Sequence, residues 1–228
     1  MSIWDQIRHF MRDVAANGFV ALFERLRGDP GHSVAFTMAV VALGAKMAKA
    51  DGRVTHDEVA AFREVFRAEA SAEQDIARLF NLARQDIAGF ETYAQRIKRL
   101  FPSPDQTVVS DLIEGLFYIA MADGHYHPGE DEFLARVAEI LGISPAKFRT
   151  IRARAVPGQD SDPHVVLGVS TDADFKQIQT AWKKLVRECH PDAIQARGLP
   201  PEAIGIAERR LIAINRAWDE IKQRHKSA

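Results

Sequence analysis

The chain has 228 residues, 46% hydrophobic and 27% charged, enough for one large domain or two small ones with a sizeable core. Lys and Arg total 30 against 31 for Asp and Glu, a net charge of −1, which excludes a long-range positive field for holding nucleic acid by its phosphates. The single cysteine, Cys189, excludes an internal disulfide framework and an all-cysteine zinc site, and fits a reducing cytosol.

Strand signals are scarce and helical spacing recurs throughout, so the expected fold class is all-α. Residues 3–26 place Ile3, Ile7, Phe10, Met11 and Val14 on one helical face, and Gly28-Asp29-Pro30-Gly31 stops that helix. Charged residues interrupt this N-terminus where a signal peptide needs an apolar run. Its apolar face is expected to pack on the protein rather than on a membrane, because Asp5, Asp13 and Glu24 accompany few basic residues. The longest uncharged stretch, 30–45, falls short of the ~20 apolar residues that span a bilayer. It reads as a buried core helix over 33–49. Further helices are predicted over 56–68, 72–84, 90–100, 104–121, 128–141 and 145–156. The turn-forming run A-V-P-G-Q-D-S-D-P, 155–163, marks a boundary, and two strong helices follow over 173–188 and 201–224. The expected division is an N-terminal helix and connection (1–32), a helical domain (33–156), a linker (157–162) and a C-terminal domain (163–228).

An internal repeat lies in the helical domain. A-D-G-R-V-T-H-D-E, 50–58, aligns with A-D-G-H-Y-H-P-G-E, 122–130. One explanation is capping. Gly52 and Gly124 suit left-handed helix ends, Thr55 to Glu58 forms a capping box, and Pro128 suits a first helical position. The other is a divalent-cation site in which Asp51, Glu58, Asp123 and Glu130 converge, with His125 or His127 nearby. Carboxylates alone favour a hard cation, and an imidazole shifts the preference toward zinc. An EF-hand is excluded, because the D-x-D-x-D-G alternation is missing.

In the C-terminal part, Phe175, Ile178, Trp182 and Leu185 step by three, four and three, and Leu211, Ile214, Trp218 and Ile221 repeat the steps. Two matching stripes on either side of a loop describe an antiparallel hairpin. Asp172 is the expected N-cap of its first helix. The polar side of that helix carries Lys176, Lys183, Lys184 and Arg187, and it leads into His190-Pro191-Asp192. Pro191 fixes φ between a donor-acceptor side chain and an anion, so this tip can present both groups to a partner in one orientation. A Cys189–His190 nucleophile pair is disfavoured, since adjacent residues at a helix end point apart and no orienting third group is identifiable. Zinc at His190 and Asp192 lacks further ligands at suitable spacing.

Two families are resembled. The A-D-G repeats with their following glutamates are similar to the TerB-like (tellurite-resistance-associated) helical domain. That resemblance implies a compact bundle with an acidic, proposed metal-binding patch and no reaction. The segments D-P-H-V-V-L-G-V, A-W-K-K-L-V-R-E-C-H-P-D, A-R-G-L-P-P-E and I-N-R-A-W-D-E-I resemble a J-domain. The pairing of the two resembles the DjlA group of J-domain proteins. It implies a co-chaperone that docks on a DnaK-type ATPase chaperone and stimulates its ATP hydrolysis, while the bundle selects client, partner or location. His190, Pro191 and Asp192 then match the family's indispensable triplet. Lys183, Lys184 and Arg187 match its basic docking face, and Trp182 a usually aromatic position. Ala193 stands where the family often has a basic residue, and His164 where it has an aromatic. The group's N-terminal membrane span and the family's client-binding Gly/Phe-rich tract have no counterpart here. A cytoplasmic location, or a peripheral one at the inner membrane, is expected. No nucleic acid partner and no cofactor are expected, save the divalent cation. The competing expectation is a metal- or stress-sensing interaction module in which the bundle dominates.

Overall fold

The structure, a computed structural model, describes residues 4–7, 32–50, 60, 62, 73–85, 89–101, 106–121, 124–156 and 162–227. Among these there are helices and turns and no strand.

Two helices form the centre of the N-terminal bundle. Helix α1 (His32–Ala50) is buried without interruption from Val34 to Met47. A helix that is apolar all round must be surrounded, and α2 (Glu73–Gln85), α3 (Phe90–Leu100) and α4 (Thr107–Ala120) pack about it. Helix α4 is itself buried from Val109 to Ala120, carrying Asp111 and Glu114 inside with it. Residues 4–7 are helical, and Trp4 and Ile7 belong to the core, Trp4 meeting Phe62 edge-on at 6.4 Å. The remainder of the expected first helix, and most of that expected over 56–68, lies outside the described residues.

Helix α5 (Pro128–Leu141) begins at proline, whose missing N–H costs nothing at the first turn, and Gly142 ends it at φ 88°. In α6 (Pro145–Ala155) the Ser144 hydroxyl accepts from the Lys147 N–H, a standard N-cap.

The C-terminal part opens with α7 (Pro163–Leu167), capped by Asp162 and closed by Gly168 at φ 68°. Helices α8 (Phe175–Glu188) and α10 (Ile204–Ser227) pack together, with α9 (Pro191–Ala196) and a 3₁₀ turn (Pro201–Ala203) between them. The stripes meet as their spacing predicts. Trp182 stacks on Trp218 at 5.0 Å, Phe175 stacks on His225 at 4.3 Å, and Ile178, Ile214 and Ile221 are buried. The expectation that Asp172 caps α8 is corrected: the helix starts two residues later. Asp174 accepts from the Gln177 N–H at 2.8 Å, while Gln177 Oε1 accepts from the Asp174 N–H at 2.9 Å. The reciprocal Asp/Gln pair satisfies two backbone donors, which Asp172 could not do, since the residue three positions after it is Phe175.

Bundle and hairpin touch along α4, α6, α7 and α10. Gly115 of α4 lets α10 approach so closely that a Cβ there would lie 3.0 Å from Ile206 Cδ1. Ser33 Oγ donates to Gly198 O at 2.9 Å, and Arg154 Nε to Val166 O at 2.8 Å. At the centre Arg210 is buried against two carboxylates. Its Nε donates to Glu114 Oε2 at 2.7 Å and its Nη2 to Asp111 Oδ1. Glu114 Oε1 also accepts from Tyr118 OH at 3.0 Å, and Arg197 Nε faces Asp111 Oδ2 at 3.0 Å. Desolvation opposes the Arg210 charge, yet Glu114 and Asp111 hold that guanidinium well above arginine's usual range.

Candidate partner-docking site

The triplet is a helix start rather than an open loop. Helix α8 ends at Cys189, whose N–H reaches back to Leu185 O and Val186 O. Pro191 lacks an N–H and pushes the residue before it out of the helical region. His190 accordingly sits at φ −66°, ψ 141° as the N-cap of α9, with Pro191 first and Asp192 second in the helix. His190 Nδ1 accepts from the Asp192 N–H at 3.3 Å, and the buried Ile194 anchors the turn. With Nδ1 engaged as acceptor, the neutral ring carries its proton on Nε2. The tip thus offers an outward N–H donor beside a carboxylate. His190, Pro191 and Asp192 are all exposed, and Asp192 Oδ2 lies 3.5 Å from His190 Nδ1.

Lys183, Lys184 and Arg187 are exposed on α8. Lys184 Nζ approaches Glu188 at 3.9 Å. Lys183 and Arg187, one turn apart, form no ion pair among the described residues, so two like charges share one strip of surface. Trp182 is placed differently. Half-buried, it stacks inside the hairpin and donates from Nε1 to Asn215 Oδ1 at 3.0 Å. It supports the face from beneath.

Cys189 is buried, and burial pushes its thiol up to about 11. A thiol so protonated at neutral pH is no nucleophile, so the neighbouring His190 has nothing to activate. His164 pairs with Asp162, Nδ1 to Oδ1 at 2.7 Å.

Of the expected cation ligands, Asp51, Glu58 and Asp123 lie outside the described residues. Glu130 is buried and its Oε2 accepts from the His127 N–H at 2.9 Å, the reach-back of a capping box. Gly124 adopts the left-handed φ expected of it, 81°, but three residues beyond Met121, the C-cap of α4, rather than at the helix end itself. Among the described residues no group of three or more His, Cys, Asp or Glu is arranged to hold a metal ion.

The residues missed from sequence are those of the junction: Asp111, Glu114, Arg197 and Arg210. A signal was present. Asp111 and Glu114 stand three apart in the apolar T-V-V-S-D-L-I-E-G-L-F-Y-I-A, and Arg210 continues the inward stripe of Ile214 and Ile221.

Comparison with known proteins places both halves. A family model described as tellurite resistance protein TerB matches residues 37–153. This chain belongs to the TerB family. A DnaJ domain model matches residues 162–227, so the TerB-family bundle is joined to a J-domain. The whole is homologous to proteins named co-chaperone protein DjlA. That of Vibrio vulnificus is 28% identical over 223 residues, covering 82% of this chain and 77% of the relative. That of Aliivibrio fischeri is 29% identical over 221 residues, covering 82% and 78%. That of Salmonella typhimurium is 37% identical over 126 residues, covering 46% and 47%. No solved structure matches the chain. No helix of the described residues is long and apolar enough to cross a membrane.

Proposed function

We propose that this TerB-family protein acts as a co-chaperone whose J-domain docks on a DnaK-type chaperone and stimulates its ATP hydrolysis. The supporting observation is the exposed triplet His190, Pro191 and Asp192, held as a helix start next to the exposed cations Lys183, Lys184 and Arg187. In this reading the cations steer the module toward an acidic patch on the chaperone. His190 and Asp192 are then the recognition groups, acting on the partner's active site rather than on a substrate of their own. Trp182 keeps the face in place, and the TerB domain supplies specificity for client, partner or location. Residues 33–156 and 163–228 are the functional units of this scheme. Glu130 is already committed to its helix N-terminus, so no observation favours the cation-sensing reading.

Single-turnover ATP hydrolysis by a DnaK-type partner tests the proposal. The wild-type chain should accelerate it and His190→Gln should not. No acceleration by the wild type, or equal acceleration by the variant, rejects the reading.

A further inference from the structure

The junction holds two buried arginines, Arg154 and Arg210, and a partly buried one, Arg197, against two buried carboxylates, Asp111 and Glu114. Arg210 and Arg197 face those two acids, whereas Arg154 makes no ion pair among the described residues and is fixed only by its bond to Val166 O. It is 9% exposed. A charge this far from water is costly unless an opposite charge accompanies it. Burial draws the Arg154 guanidinium below its usual range, with Glu114 opposing and Arg210 adding to the effect.

Beside Arg154 a cleft of about 530 Å³ opens between α6 and α8. Four of its lining residues, Lys147, Arg149, Arg154 and Lys184, are cationic; one, Glu188, is anionic. Glu188 is already turned toward Lys184, and its carbonyl is taken by Arg197. Lys147 remains in contact with solvent, but desolvation first, then Arg154 and Arg210, hold its ammonium below the usual lysine range. The volume lies within the span of small-molecule sites. A guanidinium with a neighbouring ammonium suits the several acceptor oxygens of a phosphate.

We propose that this cleft binds a phosphate group, free or carried on a small organic molecule, which supplies the counter-charge that Arg154 lacks. The site lies between the TerB and DnaJ domains, so its ligand bridges both. It shares Lys184 with the proposed docking face, and its test uses no chaperone.

The full chain is titrated with inorganic phosphate and with phosphoserine, each against chloride at matched ionic strength. Two readouts are followed: the thermal unfolding midpoint and the side-chain NMR titration of Lys147. Binding to the native state raises the midpoint with ligand concentration, and the bound dianion returns Lys147 toward the ordinary lysine range. Phosphoserine binding more tightly than phosphate identifies a ligand with an organic body; the reverse order identifies free phosphate. Arg154→Gln should abolish both responses. Should that variant not fold, Lys147→Ala combined with Lys184→Ala, both at exposed positions, should weaken binding by at least about tenfold. No response to either ligand in the wild type overturns the proposal, and so does unchanged binding in the double variant.

Discussion

Arg210 of α10 donates to Glu114 of α4, 96 positions earlier in the chain, across 2.7 Å in a region closed to water. The contact joins the two domains by charge rather than by apolar area alone. Arg210→Met should therefore leave Glu114 buried without its cation, and Asp111 with Arg197 alone, and cost roughly 3–5 kcal/mol. Adding Glu114→Gln should restore most of it, because the stranded charge goes as well, while Asp111 keeps Arg197. Urea denaturation of the three proteins checks this. Equal stability of Arg210→Met and wild type would refute a buried ion pair.

Gly115 sets two effects against each other. Alanine is better than glycine inside a helix by about 1 kcal/mol, but its Cβ would press on the buried Ile206 Cδ1 at 3.0 Å. Overpacking costs about 1–3 kcal/mol. Gly115→Ala should destabilise the wild type by about 1 kcal/mol and stabilise an Ile206→Val background, where that methyl is gone. A double-mutant cycle by denaturation gives the sign of both steps.

Lys183 and Arg187 are exposed and lack ion pairs among the described residues. Replacing both with alanine should change stability by no more than about 0.5 kcal/mol. Affinity for a DnaK-type chaperone should nevertheless fall, and its dependence on salt should flatten, since charges beyond about 8 Å are screened at physiological ionic strength. Binding measured at two salt concentrations separates this from a folding defect.

The cap of α8 distinguishes two acids two residues apart. Asp174→Ala removes the acceptor for the Gln177 N–H and should cost about 1 kcal/mol. Asp172→Ala should be close to neutral. Thermal melts of the two variants suffice.

Cys189 gives a pH signature. Its ordinary value is 9.0 and burial raises it to about 11 in the folded chain. The unfolded state therefore loses this proton first. The stabilising contribution is complete below pH 9 and disappears as pH rises through about 11. Cys189→Ala should lack that part of the alkaline decline when unfolding is followed against pH. Thiol alkylation of the native wild type at neutral pH should be slow.

Helices such as α3 and α5 were legible to the residue because proline, glycine and the apolar period all mark the same boundaries. Asp172 misled because Asp172 and Asp174 are equally good caps in isolation. The choice was made three residues on, by Gln177, which reciprocates only with Asp174. The helical start at His190 was hidden for a related reason: α9 has six residues, too few for periodicity to register. The exposed placement of the triplet and of the cations beside it follows from local spacing. The junction was not legible, since pairing Arg210 with Asp111 and Glu114 depends on which faces of distant helices meet. The acids did stand out as charges inside apolar helices, without revealing what they would face.

The buried junction also governs motion. Two modules joined by a short connection would be free to swing, unless swinging exposes charges that have no partner nearby. Here any hinge between α4 and α10 must part Arg210 from both carboxylates before water can reach them, so the bundle and the hairpin travel as one body. A molecule held by the bundle is then carried at a constant bearing from His190, and reach, rather than flexibility, decides what the triplet can be brought against.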